Sequence, residues 1–187
     1  FVRWEAVALS LAKAAKIVVP SWRLENINQD SVLLIERFDR RGSQRIPFIS
    51  AMSMLSARDN EDHSYLEIVD AIRRFGAIAK KDMQSLWRRI VFSILIANTD
   101  DHLRNHGFLL FKNGWKLSPA YDINPIKNGT GLSLNITEDD NSLSYDLCYE
   151  IRDYFRWKDK EATNFINQTK ELVGQWKQRA SNLNIPN

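Results

Sequence analysis

The sequence predicts an α+β fold that is mostly α-helical. Three observations carry that expectation: long stretches of helical apolar period, strand-like runs that are few and short, and an Asn-Gly pair set between two apolar runs. From the N-terminus, Trp4, Val7, Ala8, Leu11, Ala12 and Ala15 recur at helical spacing and predict a helix from Trp4 to Lys16, stopped by Pro20. Ser21–Leu24 and Ser31–Phe38 read as two short strands joined by the turn-rich Asn26-Ile27-Asn28-Gln29-Asp30. Arg40-Arg41-Gly42-Ser43 reads as a loop, and the polar stretch Ser56–His63 as another. Ser64-Tyr65-Leu66-Glu67 is a capping-box pattern, opening a helix that runs to about Phe75 with Gly76 beyond it. Asp82 is expected to cap a longer helix through Ala97. Met83, Leu86, Trp87, Ile90, Val91, Ile94 and Leu95 form one face of it, and its last two turns are apolar almost all round, which places it in the middle of a core. Gly107–Phe111 and Trp115–Leu117 flank Lys112-Asn113-Gly114 and predict a hairpin, because Asn and Gly both tolerate positive φ. Two helices close the chain, Ser142–Arg156 and Asp159–Ser181.

Composition bounds the function. The 187 residues are 44% hydrophobic and 26% charged, near the average for globular proteins, which excludes disorder, collagen-like repeats and a disulfide scaffold. The single cysteine, Cys148, cannot form an internal disulfide, which points to a reducing, cytoplasmic compartment, and its apolar surroundings read as core. The longest apolar run, Ile90–Ala97, is far short of the roughly 20 residues that span a bilayer, so no membrane association is expected. Net charge is +3, from 26 Lys and Arg against 23 Asp and Glu. Arg73-Arg74, Lys80-Lys81 and Arg88-Arg89 lie at helical spacing and read as solvated faces, not as a stripe that tracks phosphates. Trp4, Trp87 and Trp176 occupy apolar positions and are expected to pack, whereas Trp22 and Trp157 read as possible exposed contacts.

Polar residues capable of chemistry crowd into one place. Directly after the apolar helix comes Asn98-Thr99-Asp100-Asp101-His102-Leu103-Arg104-Asn105-His106, and the hairpin then leads into Ser118-Pro119-Ala120-Tyr121-Asp122. A hairpin folding back on itself returns Asp122 toward Asn105, so Asp100, Asn105 and Asp122 can converge. Phosphoryl transfer from ATP needs such a set: a carboxylate to orient and deprotonate the acceptor hydroxyl, and hard oxygen ligands for Mg²⁺. In protein kinases the catalytic Asp and the metal-binding Asn lie five residues apart, as Asp100 and Asn105 do. His102 lies two residues after Asp100 instead of two before it, and Asp122 is followed by Ile123-Asn124-Pro125 where kinases carry a glycine.

Asn98–Asn105, together with Leu117-Ser118-Pro119-Ala120-Tyr121-Asp122 after a hairpin, resembles the HipA family of bacterial serine/threonine kinases, the toxins of toxin–antitoxin modules. Leu33-Leu34-Ile35-Glu36-Arg37-Phe38-Asp39-Arg40 looks like that family's strand and adenine hinge, and the first helix with Leu11-Ala12-Lys13-Ala14-Ala15-Lys16-Ile17 matches in the right order. The resemblance implies a kinase-like large lobe with an active-site hairpin (residues 39–187), preceded by the end of the small lobe (residues 1–38). It implies Asp100 as catalytic base, and Asn105 and Asp122 as Mg²⁺ ligands. It places His102, Arg104 and Tyr121 on the nucleotide side, and Glu36, Arg37 and Phe38 at the adenine hinge. Glu5 would pair with the nucleotide lysine. ATP and Mg²⁺ are the implied cofactors. An aminoacyl-tRNA synthetase is the implied substrate, and a small DNA-binding antitoxin of the HipB type is the implied partner, with DNA contacted only through it. The lysine-bearing strand and the phosphate loop of the family precede the first helix, so residues 1–187 read as a fragment opening on Phe1. Arg104 stands where lysine is common, which keeps the charge and changes its geometry.

Two other readings use the same residues. A kinase-like module without the phosphate loop and lysine could act only as a binding scaffold. A metal-dependent phosphoesterase could use Asp100, Asp101, His102, His106 and Asp122, and His102 with His106 could suit Zn²⁺ if helical. Glu138-Asp139-Asp140 reads as a solvated acidic turn, since no calcium-loop ladder follows.

Overall fold

The computed structural model describes residues 2–28, 30–183 and 185. The first helical period is realised as α1, Val2–Ala14, which buries Ala6, Val7, Ala8, Leu9, Leu11 and Ala12. The helix is closed by Lys16 in the left-handed region (φ 61), with the Ile17 N–H donating to the Ala12 carbonyl at 2.9 Å. Strands β1, Trp22–Ile27, and β2, Asp30–Ile35, pair antiparallel as a separate two-stranded sheet. The turn is tighter than the sequence suggests. Asn26 pairs with Ser31 and Ile27 with Asp30, so the reversal falls around Asn28, which takes φ 57.

Where a loop was expected after the hinge, the chain forms a miniature hairpin. Strand β3, Arg40–Arg41, pairs with β4, Gln44–Arg45, and Gly42 at φ +58 makes the reversal possible. Strand β5, Phe48–Ser50, carries no alternating signature and is recruited by tertiary pairing onto the later hairpin of β6, Gly107–Phe111, and β7, Gly114–Leu117, giving the order β5-β6-β7. Ser50 then caps the single-turn helix α2, Ala51–Met54, its hydroxyl accepting from the Ser53 N–H at 3.2 Å.

Helix α3, Tyr65–Phe75, begins with the capping box read from sequence: the Glu67 carboxylate accepts from the Ser64 N–H at 2.9 Å. Helix α4, Ala79–Ile96, starts earlier than expected, at an Ile78 cap. Asp82 is therefore not the cap. It lies within the first turn, 5% exposed, and accepts from the Leu117 N–H at 3.1 Å, tying α4 to strand β7. Strands β6, Gly107–Phe111, and β7, Gly114–Leu117, form the predicted hairpin, but its loop is Lys112-Asn113 and Gly114 belongs to the ladder opposite Phe111. Gly114 sits at φ +122, and a Cβ there would come within 2.8 Å of the Phe75 carbonyl.

Helix α4 lies between two hydrophobic clusters, as its nearly continuous apolar surface requires. One cluster joins Leu86, Trp87, Ile90 and Ile94 to α3, the hairpin and the C-terminal helices. The other joins Phe92 to α1, Ala120, Ile123 and Ala180. Trp157 is only 8% exposed and lies against Trp87, with ring centroids 4.8 Å apart, so it is a core residue and not an exposed contact. Trp4 and Trp176 pair at 5.7 Å yet stay about one-third exposed. Cys148 is fully buried beneath Trp87, whose indole N–H donates to its carbonyl at 2.9 Å, and burial pushes its thiol pKa up. The closing region is α5, Tyr145–Glu150, running into a 3₁₀ turn Ile151–Phe155, then α6, Asp159–Gly174, and α7, Trp176–Asn182. Asp140 ends the acidic turn by accepting from the Ser142 N–H at 2.8 Å. Among the described residues, no helix is long and apolar enough to cross a membrane.

Candidate functional site

The site is built where α4 ends. Ala97, at φ 52 and ψ 48, turns the chain out of the helix and starts the loop 98–106, which contains the 3₁₀ turn Leu103–Asn105. The segment after β7 is stitched to this loop. Tyr121 Oη donates to the Arg104 carbonyl at 2.6 Å, the Asn124 N–H donates to Asn98 Oδ1 at 3.1 Å, and the Ile126 N–H donates to the Ala97 carbonyl at 2.9 Å. The neighbour of Asp122 is thereby bonded to the neighbour of Asn105.

Asp100 is exposed. Asn105 is 6% exposed, and its Nδ2 reaches the Asp100 carbonyl at 3.3 Å, while its Oδ1 accepts no hydrogen bond among the described residues. Asp122 is exposed in the left-handed region (φ 55), an uncommon conformation for a non-glycine residue that functional positions often hold. One of its oxygens accepts from Asn124 Nδ2 at 2.7 Å. Glu5, from α1, faces it: burial and then the Asp122 charge push the Glu5 carboxyl pKa up. Two carboxylates thus approach each other from α1 and the post-hairpin segment, an arrangement that a cation between them would relieve. Asn105 and Asp122 offer hard oxygens, the donor chemistry that suits Mg²⁺. Among the described residues no group of three or more His, Cys, Asp and Glu is placed to hold a metal, so any such ion would need phosphate and water oxygens to complete its shell.

The hinge residues surround an aromatic stack. Phe38 lies 5.5 Å from Tyr121 and 6.0 Å from Phe48, ring centre to ring centre. The Glu36 N–H is taken by the Ser21 carbonyl at 2.8 Å, whereas the Glu36 carbonyl and the Phe38 N–H have no hydrogen-bond partner among the described residues. Arg37 is spent on Asp39, with two contacts at 2.9 and 2.7 Å, and its guanidinium holds that carboxyl below the usual range. Arg104 is paired with Asp59 from the polar loop, and His102 is half-buried beside them.

Beneath Asp100 lies a buried network that the sequence does not announce. Asp101, 4% exposed, receives Tyr65 Oη at 2.6 Å and Ser93 Oγ at 3.3 Å, and His106 Nε2 stands 3.0 Å from its other oxygen. Burial would raise the Asp101 pKa, but His106, Tyr65 and Ser93 together outweigh it and the net direction is down. Arg89, also buried, donates to the Ser118 carbonyl, and burial lowers its pKa to about 10 despite the nearby Asp101 and Asp82. Arg89, Ser93, Asn98, Asp101, His106 and Tyr121 border a cavity of about 20 Å³, room for one water. Asp101 is taken up by Tyr65 and Ser93, and it and His106 are buried side by side at 4% and 1% exposure, so the phosphoesterase and zinc readings, which need both as accessible ligands, lose their donors. The helical spacing of His102 and His106 is not realised either, because the 3₁₀ turn lies between them.

Residues 1–180 match the family model described as the HipA-like C-terminal domain. A Haemophilus influenzae protein carrying a provisional kinase description is 31% identical over 109 residues, which cover 52% of this chain and 32% of that protein. Among solved structures, HipA of Shewanella oneidensis MR-1, determined in complex with HipB and its operator DNA, superposes over the whole of this chain and 50% of its own, with a TM-score of 0.75 at 17% identity. The Helicobacter pylori proinflammatory kinase CtkA superposes over 95% of this chain and 83% of its own, with a TM-score of 0.62 at 14% identity. The chain spans about a third of that curated relative and half of the HipA chain. An α+β fold shared with HipA and CtkA and a family match that spans nearly every residue agree: the chain belongs to the HipA-like C-terminal domain family.

Proposed function

We propose that the intact protein is a HipA-like serine/threonine protein kinase that transfers the γ-phosphate of ATP to a protein hydroxyl. The observation that carries this reading is the bonding of the Asp122 segment to the Asp100–Asn105 loop, with Glu5 of α1 facing Asp122. Asp100, exposed at the mouth of the loop, would accept the hydroxyl proton and orient the oxygen for attack. Asn105, anchored through Nδ2 to the Asp100 carbonyl, couples the position of the base to the position of the nucleotide. Asn105 and Asp122 would hold Mg²⁺, which neutralises phosphate charge when bound. The Glu36 carbonyl and Phe38 N–H, without a partner among the described residues, would meet an adenine edge, with Phe38 and Tyr121 as an aromatic floor. His102 and Arg104 would face the phosphates, and Arg104 must leave Asp59 to do so.

By similarity to the HipA structure solved with HipB and operator DNA, a HipB-type antitoxin is the proposed partner, with DNA contacted through it. An aminoacyl-tRNA synthetase is the proposed substrate on family resemblance, and the cytoplasm the proposed location. Residues 1–38 are proposed as the end of the small lobe and 39–187 as the large lobe.

The test is mutational. In the full-length protein, Asp100→Ala is expected to reduce phosphotransfer by about 10²–10⁴-fold while calorimetry still registers Mg²⁺-ATP binding. Unchanged phosphorylation would remove Asp100 from its role. Absence of both ATP binding and transfer in the unmutated full-length protein would favour the scaffold reading.

A further inference from the structure

Residues 37–45 read Arg37-Phe38-Asp39-Arg40-Arg41-Gly42-Ser43-Gln44-Arg45, four arginines with one acid. Asp39 is occupied by Arg37 at 2.7 Å and Arg40 at 3.2 Å. Arg41 and Arg45 are exposed and make no ion pair among the described residues. The register sets Arg40 directly opposite Arg45 across the β3–β4 ladder. Like charges directly opposed destabilise a ladder, and a hairpin of two-residue strands has almost no pairing to offset that. Folding therefore gives no reason for this concentration of arginine, whereas an incoming anion would.

The hairpin also stands at a telling place. Phe38 precedes it and Phe48 follows it, and both rings pack on Tyr121, at 5.5 and 6.4 Å, next to Asp122. Its base is closed by the Ile46 N–H donating to the Asp39 carbonyl at 2.9 Å. Through Tyr121, whose Oη donates to the Arg104 carbonyl at 2.6 Å, the hairpin is joined to the loop that carries Asp100.

We propose that the β3–β4 hairpin is a docking point for an acidic segment of the protein substrate, recognised by Arg41 and Arg45 together with Arg40. The proposal rests on the kinase reading above, because it places the acceptor hydroxyl at Asp100. Guanidinium forks match carboxylates bidentately, which suits recognition of Glu or Asp side chains. A nucleic acid fits less well. Duplex binders typically neutralise about 6–10 phosphates along a stripe, whereas this is a single basic point on a chain of net charge +3.

The experiment uses the full-length protein and its Arg41→Glu/Arg45→Glu variant, which changes only exposed side chains. Two probes are used: a serine peptide flanked by glutamates, and the same peptide flanked by glutamines. The expected result is an increase of about tenfold in KM for the glutamate peptide in the variant, with kcat, the glutamine peptide and autophosphorylation unchanged. Fluorescence anisotropy of a labelled glutamate peptide lacking the serine is the second readout and needs no catalysis. Its binding should weaken about tenfold in the variant and fade as salt rises from about 0.1 to about 0.5 M. Equal peptide binding by both proteins overturns the proposal. So does tighter binding of duplex DNA that the variant alone loses, which would make the hairpin a nucleic-acid contact. Weakened peptide binding in a protein with no phosphotransfer would keep the docking point and sink the kinase reading. Intact phosphotransfer with no change in the variant would do the reverse.

Discussion

Asp100 and Asp101 are chain neighbours with opposite environments, and that opposition sets the site. Tyr65, Ser93 and His106 hold Asp101 inward, so the adjacent side chain is left facing solvent. Tyr65→Phe removes the 2.6 Å donor from a buried carboxylate and should cost about 1–3 kcal/mol by denaturant unfolding. If Asp101 orients Asp100, then on the proposed kinase reading the same variant should lower kcat in the full-length protein with little change in the KM for ATP. A loss of stability with kcat intact would confine Asp101 to a structural role. The five-residue spacing of Asp100 and Asn105 made those positions legible in the sequence. The role of Asp101 was not legible, because its main donor lies 36 residues earlier, on α3.

At the scale of the element, α4 carries two local conflicts. Asp82 is buried in its first turn, and burial pushes its pKa to about 6, against the lowering effects of the Leu117 N–H and of Arg89, Lys116 and Lys81. A carboxyl whose folded pKa is raised favours folding while protonated. The stabilisation is present below about pH 4 and is lost as pH rises through about 6. Asp82→Asn keeps an acceptor for Leu117, so relative to the parent it should gain stability in chemical denaturation between about pH 4 and pH 7. A difference that does not vary with pH would mean that Asp82 is not strained. At the other end, Ala97 adopts φ 52, which Gly enters without a Cβ penalty. Ala97→Gly should stabilise by about 1 kcal/mol, seen as a Tm increase of about 2–4 °C. The start of α4 was misread because an Asp near a helix start reads as a cap, and only the approach of β7 shows where its carboxylate points.

For the whole molecule, the two clusters bury their apolar residues, whereas the β1–β2 sheet leaves apolar residues exposed. It has two strands, and Ile27, Leu34 and Ile35 are exposed at 53%, 37% and 38%. Two strands alone are marginal in water. We expect an N-terminally extended chain to slow amide hydrogen exchange in β1 and β2 and, on the proposed kinase reading, to bind Mg²⁺-ATP. Unchanged exchange would mean that the sheet is self-sufficient. The C-terminal helices, by contrast, pack on α4 through Trp87, Trp157 and Phe165, whose ring centroids lie 4.8–5.8 Å apart.

By itself the sequence determined α1, α3, the apolar body of α4, the hairpin, and the order of Asp100, Asn105 and Asp122. Helical period, capping chemistry and short-range spacing are local properties, which neighbouring residues impose whatever the rest of the chain does. Only the tertiary structure decided that β5 pairs with β6, that Asp82 serves β7 and that Trp157 is core. It alone decided that Asp101 anchors the loop while Asp100 faces out. Each of those outcomes depends on which distant group supplies the matching donor, acceptor or apolar surface, and no local pattern encodes that partner.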